Sequence, residues 1–460
     1  MLNVSNETKT AWGRDSSDKE FLITVEGIGS IGNSNIRQNS FNFTESIMSS
    51  DSLEFVGCIA RRCEFTTNAF NDVNLKNKRI TVKVRANKTE WIQVFKGVID
   101  ESKKESMKGL KRITAYDDFY RLSQMDASAW WNALPYTSLM GSFLNFCTAF
   151  SVDYNVSKVS FVNSTIPCFG GSKRQAKKLT ALGFLAQLCQ INGCMGYIDG
   201  EGKFSVRYID APMQTAYYPA ESLFPSAFIY PSDYSGGSGE VTPLPYYQSL
   251  EYEDYSVHEI DKVTIRNSSE DVGVSYPYAG ENTYIIQGNI FAYDQSGTTL
   301  LNMASAIHNV VSHVGYRPFV AKNMAMPWIE CGDVLMYYDI DDNGNSIEVT
   351  LLLLTRQMSG DQMMWDTFSA EGEQDQRIFI TDLQAQIEDL QKQIEDMSGD
   401  TPDGALSGII LTEQVSMIEA NTLGGIEEAY HDIVDEEQVS TMVNTTMSAL
   451  DNGVSGIVEV

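Results

Sequence analysis

At 460 residues the chain is longer than one compact core holds, and the usual domain size points to about three or four domains. Hydrophobic residues make up 43% and aromatic residues 11%, which suits buried cores and excludes a disordered chain. The formal net charge of −28, from 33 basic and 61 acidic residues, argues against gripping a phosphate backbone, because counterion release needs clustered Lys and Arg.

The start, Met1 to Glu7, has neither a basic cluster nor an apolar run, so no cleaved secretory signal is expected. Up to about residue 122 the sequence reads as short strands. Ile80, Val82 and Val84 alternate with Thr81, Lys83 and Arg85, the period of a strand with one packed face and one wet face. Further strands are predicted at Phe21–Val25, Phe41–Phe43, Cys58–Thr66, Trp91–Ile99 and Leu110–Ala115, the spacing of a small barrel or sandwich.

Between about 123 and 212 the period changes to that of helices. Thr137 or Ser138 caps a helix running to about Phe150, and Thr180 caps another with Leu182, Leu185, Leu188 and Cys189 on its apolar face and Gly193 as its stop. A hairpin of Met195–Ile198 and Phe204–Tyr208 follows, turning at Asp199-Gly200-Glu201-Gly202. Residues 211–247, rich in Pro, Tyr, Ser and Gly, read as a long connector. Strands return at Lys262–Ile265 and Tyr284–Phe291, then a helix from about Thr298 to Val314, a hairpin across Asp341 to Gly344, and a closing strand near Met364–Ala370. The longest apolar stretch, Val349–Leu354, is strand-length and far short of a membrane span.

After Arg377 the positions Ile380, Leu383, Ile387, Leu390, Ile394 and Met397 repeat at 3 and 4, an a/d seam over nearly three heptads with Gln384, Gln386, Gln391 and Gln393 at e and g. These six residues are the candidate oligomerisation site; the alternative is a single amphipathic helix packed on its own domain. Ser398 to Pro402 ends the seam, and two weaker helices follow, the second opening at Asp435 and Gln438 in capping-box spacing.

Four patterns have a chemical reading and a plainer one. Gly27-Ile28-Gly29-Ser30-Ile31-Gly32 matches the dinucleotide fingerprint, but no helix follows to receive a pyrophosphate, so it reads as a glycine turn. Asp339 to Gly344 copies the first half of a calcium loop, yet Thr350 stands where the bidentate Glu belongs; a hairpin turn is the better reading, with a weak surface cation as the alternative. His258, His308, His313 and His431 have no metal-ligand spacing, and the seven cysteines (Cys58, Cys63, Cys147, Cys168, Cys189, Cys194, Cys331) include no CxxC pair, so they read as buried thiols made in a reducing cytoplasm. Trp130-Trp131 reads as core or interface rather than a sugar platform. No catalytic residue, metal ligand or cofactor is assigned, and an enzyme is not expected; carboxylate-based hydrolysis has no motif behind it.

The run Leu53 to Ala60 with the strand Arg62–Thr67, then Ile80–Val84, Phe95–Asp100 and Ile113–Asp117, resembles the N-terminal β-barrel of phage tail-tip hub proteins, also called tail-associated lysin or Tal proteins. Leu179–Tyr208, Ile286–Asn289 with its following helix, and Tyr316–Phe319 leading to Met326–Asp333 match further segments in the same order, covering about 20 to 375.

The resemblance implies a homotrimeric structural hub at the distal tip of the virion tail, made in the host cytoplasm, whose two barrel-like β domains per subunit form a pseudo-sixfold ring. Its implied partners are distal tail and tail tube proteins, the tape measure protein, and fibre or receptor-binding proteins, with DNA passing through the lumen without specific binding. The implied architecture is α+β, mainly β: an N-terminal β-barrel at 1–122, an α/β domain at 123–212, a connector at 213–247, a second barrel-like domain with an inserted helix at 248–377, a coiled coil at 378–398, and a tip or attachment region at 399–460. The family often carries a C-terminal peptidoglycan hydrolase or receptor-binding region; only about 60 residues follow the coiled coil here, a departure from that pattern, and an enzymatic lysin domain is not expected. The alternatives to a hub are a tail-linked receptor- or glycan-binding protein and a cell-wall hydrolase. Ile at a with Leu at d favours parallel dimers, whereas the resemblance calls for three strands.

Overall fold

The computed structural model describes residues 2–13, 18–48, 53–105, 109–168, 178–209, 241–244 (backbone only), 247–266, 273–293, 295–340, 346–360 and 363–372. The chain opens with helix α1 (Asn6–Trp12), whose cap Ser5 accepts from Thr8 N and whose Trp12 is buried. Seven strands follow: β1 (Lys19–Val25), β2 (Gly29–Ile31), β3 (Phe41–Ser46), β4 (Arg62–Thr67), β5 (Arg79–Ala86), β6 (Ile92–Lys104) and β7 (Lys111–Tyr116). In β5 the alternation is complete, with Ile80, Val82, Val84 and Ala86 buried and Thr81, Lys83 and Arg85 half-exposed.

The next segment is helical. It holds α2 (Asp118–Ser123), α3 (Ser128–Ala133), the short strand β8 (Thr137–Ser138), α4 (Leu139–Phe150), β9 (Pro167–Cys168), α5 (Ala181–Gln190) and the hairpin β10 (Met195–Ile198) with β11 (Phe204–Arg207). Ser138 caps α4 by accepting from Gly141 N, and Thr180 caps α5 by accepting from Gly183 N. The buried face of α4 carries Phe143, Phe146 and Phe150, and that of α5 carries Phe184. Trp130, Trp131, Phe146, Phe150 and Phe184 pack ring on ring, and Phe291 from the following segment joins them 5.5 Å from Trp131.

The third segment adds β12 (Val241–Leu244), β13 (Tyr247–Tyr252), β14 (Lys262–Arg266), β15 (Val274–Tyr276), β16 (Thr283–Gln287), helix α6 (Gly297–Val311), β17 (Phe319–Met324), β18 (Val334–Ile340), β19 (Ser346–Leu352), β20 (Thr355–Gly360) and β21 (Met364–Ala370). The connector expected at 211–247 is therefore strand at its C-terminal end, because Val241–Leu244 pairs in parallel with β18 and Tyr247 opens β13. Residues 210–240 lie outside the described residues.

Eleven strands from the first and third segments form one antiparallel sheet in the order β13, β17, β21, β20, β3, β4, β7, β6, β5, β1, β2. Among the described residues no sheet closes on itself, so the spacing that suggested a small barrel or sandwich in the first segment, and the two barrel-like domains the resemblance implies, correspond to strands of one open ladder. The junction is β3, which pairs with β4 of its own segment on one side and with β20 on the other. The expected coiled-coil positions Ile380, Leu383, Ile387, Leu390, Ile394 and Met397 lie outside the described residues.

The helical segment docks through backbone. Cys58 N donates to Gly196 O at 2.7 Å and Gly196 N donates to Val56 O at 3.0 Å. Between those two bonds sits Gly57, at φ +61°, where a Cβ would fall 2.6 Å from Gly196 O. Gly57→Ala therefore combines left-handed strain with a backbone clash, and a loss of about 2–4 kcal/mol is expected in urea unfolding monitored by circular dichroism. An unchanged midpoint would show that the docking is not close-packed.

Candidate functional site: a buried charged joint

The strand pattern places charged residues where it should place apolar ones. In β20 the inward positions are Arg356, Met358 and Gly360, and in β21 they are Met364, Asp366, Phe368 and Ala370. Arg356 meets Asp366 as a fork, Nε to Oδ1 at 3.0 Å and Nη2 to Oδ2 at 2.9 Å, with side chains 2% and 0% exposed. The remaining donors of the guanidinium go to the carbonyls of Ile329 and Met326, and Asp366 Oδ2 also accepts from Met326 N at 2.7 Å. Burial works against the Arg356 charge, and Asp366 more than compensates, holding its pKa above the ordinary value.

Two further arginines extend the joint. Arg207, at the end of β11, reaches Glu330 Oε2 and Asp333 Oδ1 at 3.1 Å each and donates to Cys331 O at 2.5 Å, fastening the helical segment to the third. Burial alone would raise the Glu330 carboxyl, yet Arg207 and neighbouring cations keep it below the usual range. Arg61, just before β4, lies 3.5 Å from Asp117 Oδ2 and 4.0 Å from Glu45 Oε1, and its Nη2 donates to Asp199 O at 2.6 Å. Asp117 is also the cap of α2: Oδ1 accepts from Phe119 N, and Oδ2 accepts from Arg61 N. Burial pushes the Asp117 carboxyl up to about 7 against the pull of Arg61, and it raises Glu45 as well.

The charged side chains of the joint lie at 16% exposure or less, and each faces an opposite charge. The arrangement therefore holds three segments of the chain in register, and what it can do chemically is exchange a proton at Asp117 or Glu45.

Breaking one partner of the Arg356–Asp366 fork, as in Asp366→Asn, should cost about 3–5 kcal/mol, whereas Arg356→Met with Asp366→Leu should cost much less. Equilibrium unfolding of the two single variants and the double variant measures the difference. A double variant as unstable as the singles would contradict it.

Asp117 also gives the joint a pH dependence. Its folded pKa lies above the ordinary 3.8, so the folded state holds a proton there that the unfolded state has released. Its contribution is complete below about 4 and is lost as pH rises through about 7. The urea midpoint of wild type relative to that of Asp117→Asn should fall over that window as pH rises; a pH-independent difference would exclude the assignment.

The residues singled out in the sequence are not brought together. Gly27 lies in the turn of the β1–β2 hairpin and Gly29 opens β2, both at positive φ, and the segment is followed by the 3-10 turn Asn33–Asn35, not by an α-helix. Asp339 is the penultimate residue of β18, where one of its oxygens accepts from Tyr252 Oη at 2.6 Å, and 341–345 lie outside the described residues. His308 Nε2 is 3.1 Å from Asp261 O, and His431 lies outside the described residues. Among the described residues no group of His, Cys, Asp and Glu is placed to hold a metal, and no helix is long and apolar enough to cross a membrane. All seven cysteines are buried and unpaired. The joint itself carried a signal that sequence reading passed over: an Arg and an Asp at inward positions of alternating strands.

What fold and joint define is a mainly β protein whose buried polar groups serve architecture. No family model and no curated protein matches the chain. Among solved structures it is similar to a tail protein from Neisseria meningitidis MC58 (10% identity, TM-score 0.46, 77% of this chain and 97% of that one). It is also similar to the 43 kDa tail protein of prophage MuSo2 from Shewanella oneidensis (12%, 0.45, 77% and 98%). A third is a type VI secretion component from E. coli, described as similar to the T4 bacteriophage tail proteins gp27 and gp5 (12%, 0.38, 76% and 76%). The structural neighbours are thus phage tail proteins and a baseplate-like component.

Proposed function

We propose that the chain is a structural component of a phage-type tail, the hub at its distal tip, which joins the tail tube to fibre or spike parts and closes and then opens the DNA channel. The observation that carries this is the single open sheet built from both ends of the body, locked by the buried joint. Such a plate keeps its shape under load and leaves both edge strands, β2 and β13, at its margins. The collinear sequence segments quoted above support the same reading.

In this reading three copies surround the axis, each strand-rich segment occupies one of two barrel-like positions in the ring, and the seam Ile380, Leu383, Ile387, Leu390, Ile394, Met397 runs along the axis toward the tip. Distal tail, tail tube and tape measure proteins meet one face and fibre or receptor-binding proteins the other. DNA passes without being held, in keeping with the charge of −28.

Light scattering on the purified full chain tests the trimer, with an expected mass of about three times 51.2 kDa. Leu383→Asp with Leu390→Asp should leave that mass in place, since three heptads contribute little beside interfaces of the body. A wild type that stays monomeric at micromolar concentration would overturn the trimeric hub.

A further inference from the structure

Residues 53–61 form a strap that crosses from the strand-rich segment to the helical one. Phe55, Gly57 and Cys58 on it all have positive φ, 45°, 61° and 57°. Two non-glycine residues in the left-handed region within four positions store backbone strain, and strained segments open locally more readily than the ladders beside them.

The strap ends on sulfur. Cys58 Sγ donates to Cys189 Sγ of α5 at 3.9 Å, and Cys194 Sγ lies 3.7 Å from Cys189 O. A Cβ at residue 196 would fall 2.7 Å from Cys58 Sγ and 2.8 Å from Cys189 Sγ, so both sulfurs converge on a space that Gly196 leaves open. All three thiols are buried. Burial works against a Cys189 thiolate, but hydrogen bonds from Cys194 and Cys58 outweigh it and hold this thiol below the usual range, while burial pushes Cys58 and Cys194 up.

We propose that Cys58 and Cys189 are a redox site, at which hydrogen peroxide makes a disulfide that fastens the strap to α5. The sulfurs close from 3.9 Å to about 2.05 Å by side-chain rotation over Gly196. The Cys189 sulfur attacks the peroxide; an S–O bond forms, the O–O bond breaks, and the departing oxygen leaves as water. The Cys58 sulfur then attacks the Cys189 sulfenic acid; the S–S bond forms, the S–O bond breaks, and a second water leaves with the Cys58 proton. Two thiols lose two electrons and two protons in all, and the peroxide is reduced to two waters. The bond closes a loop across 131 positions, long enough to restrict the unfolded chain strongly.

The test treats the full chain with hydrogen peroxide, blocks remaining thiols with N-ethylmaleimide under denaturing conditions, and maps tryptic peptides by mass spectrometry. Trypsin leaves Cys58 on one peptide and Cys189 with Cys194 on another, so variants assign the bond. A linked pair of these peptides is expected in wild type and in Cys194→Ser, absent from Cys58→Ser and Cys189→Ser, and reversed by dithiothreitol. The oxidised wild type should melt roughly 5 °C higher than the reduced form. Seven maleimide-labelled thiols after peroxide would overturn the proposal. So would a link that survives Cys189→Ser or needs Cys194.

Discussion

Strands β3 and β20 run side by side although the hydroxyls of Ser46 and Thr355, which meet at 2.8 Å, are 309 positions apart. Everything else in the body depends on that ladder. It sets Phe43 opposite Met358 and Glu45 opposite Arg356, all on the buried face. Directly opposed side chains on one face lie within contact distance, so the ladder delivers a carboxylate and a guanidinium to the interior at the junction of the two strand-rich segments. Loop closure over such a separation costs entropy before any contact compensates, so neither half of the sheet gains its full packing until both are made.

The buried charges give this ladder its register. Slipping β20 by one residue would turn Arg356 outward and leave Asp366 alone in the core, a larger penalty than exposing a few methyl groups. Arg207 and Arg61 apply the same constraint to the helical segment: the first is met by Glu330, Asp333 and the carbonyl of Cys331, the second by Asp117, Glu45 and the carbonyl of Asp199. Asp199 in turn shapes the β10–β11 turn by accepting from Glu201 N and Lys203 N. Three arginines thus define how three segments meet, with a directionality that apolar packing alone does not supply.

Much of the local structure was legible in the sequence, because local structure has local causes. Alternation marked β5 and β21, hydroxyl caps marked α4 and α5, and the Asp-Gly-Glu-Gly turn marked the β10–β11 hairpin. The partner of β3 was not legible, since Phe41, Phe43 and Glu45 carry no local trace of Gly360, Met358 and Arg356. For the same reason strand spacing in the first segment suggested a small barrel or sandwich where the ladder continues into a second segment. Arg61, Asp117, Arg207 and Glu330 carry no local mark of the joint because burial is decided by tertiary pairing; only Glu45, Arg356 and Asp366 stand at inward positions of alternating strands.

Charge also decides how the joint and the surface respond to salt. With 61 acidic and 33 basic residues, the surface repels itself, and added salt screens that repulsion within a Debye length of about 8 Å at physiological strength. The joint lies at 0–16% exposure, where screening by mobile ions is weak. Rising ionic strength therefore relieves the unfavourable electrostatics of the surface while leaving the favourable electrostatics of the interior nearly intact. The cations of the joint thus act on the register of the fold under conditions in which the exposed charges are screened.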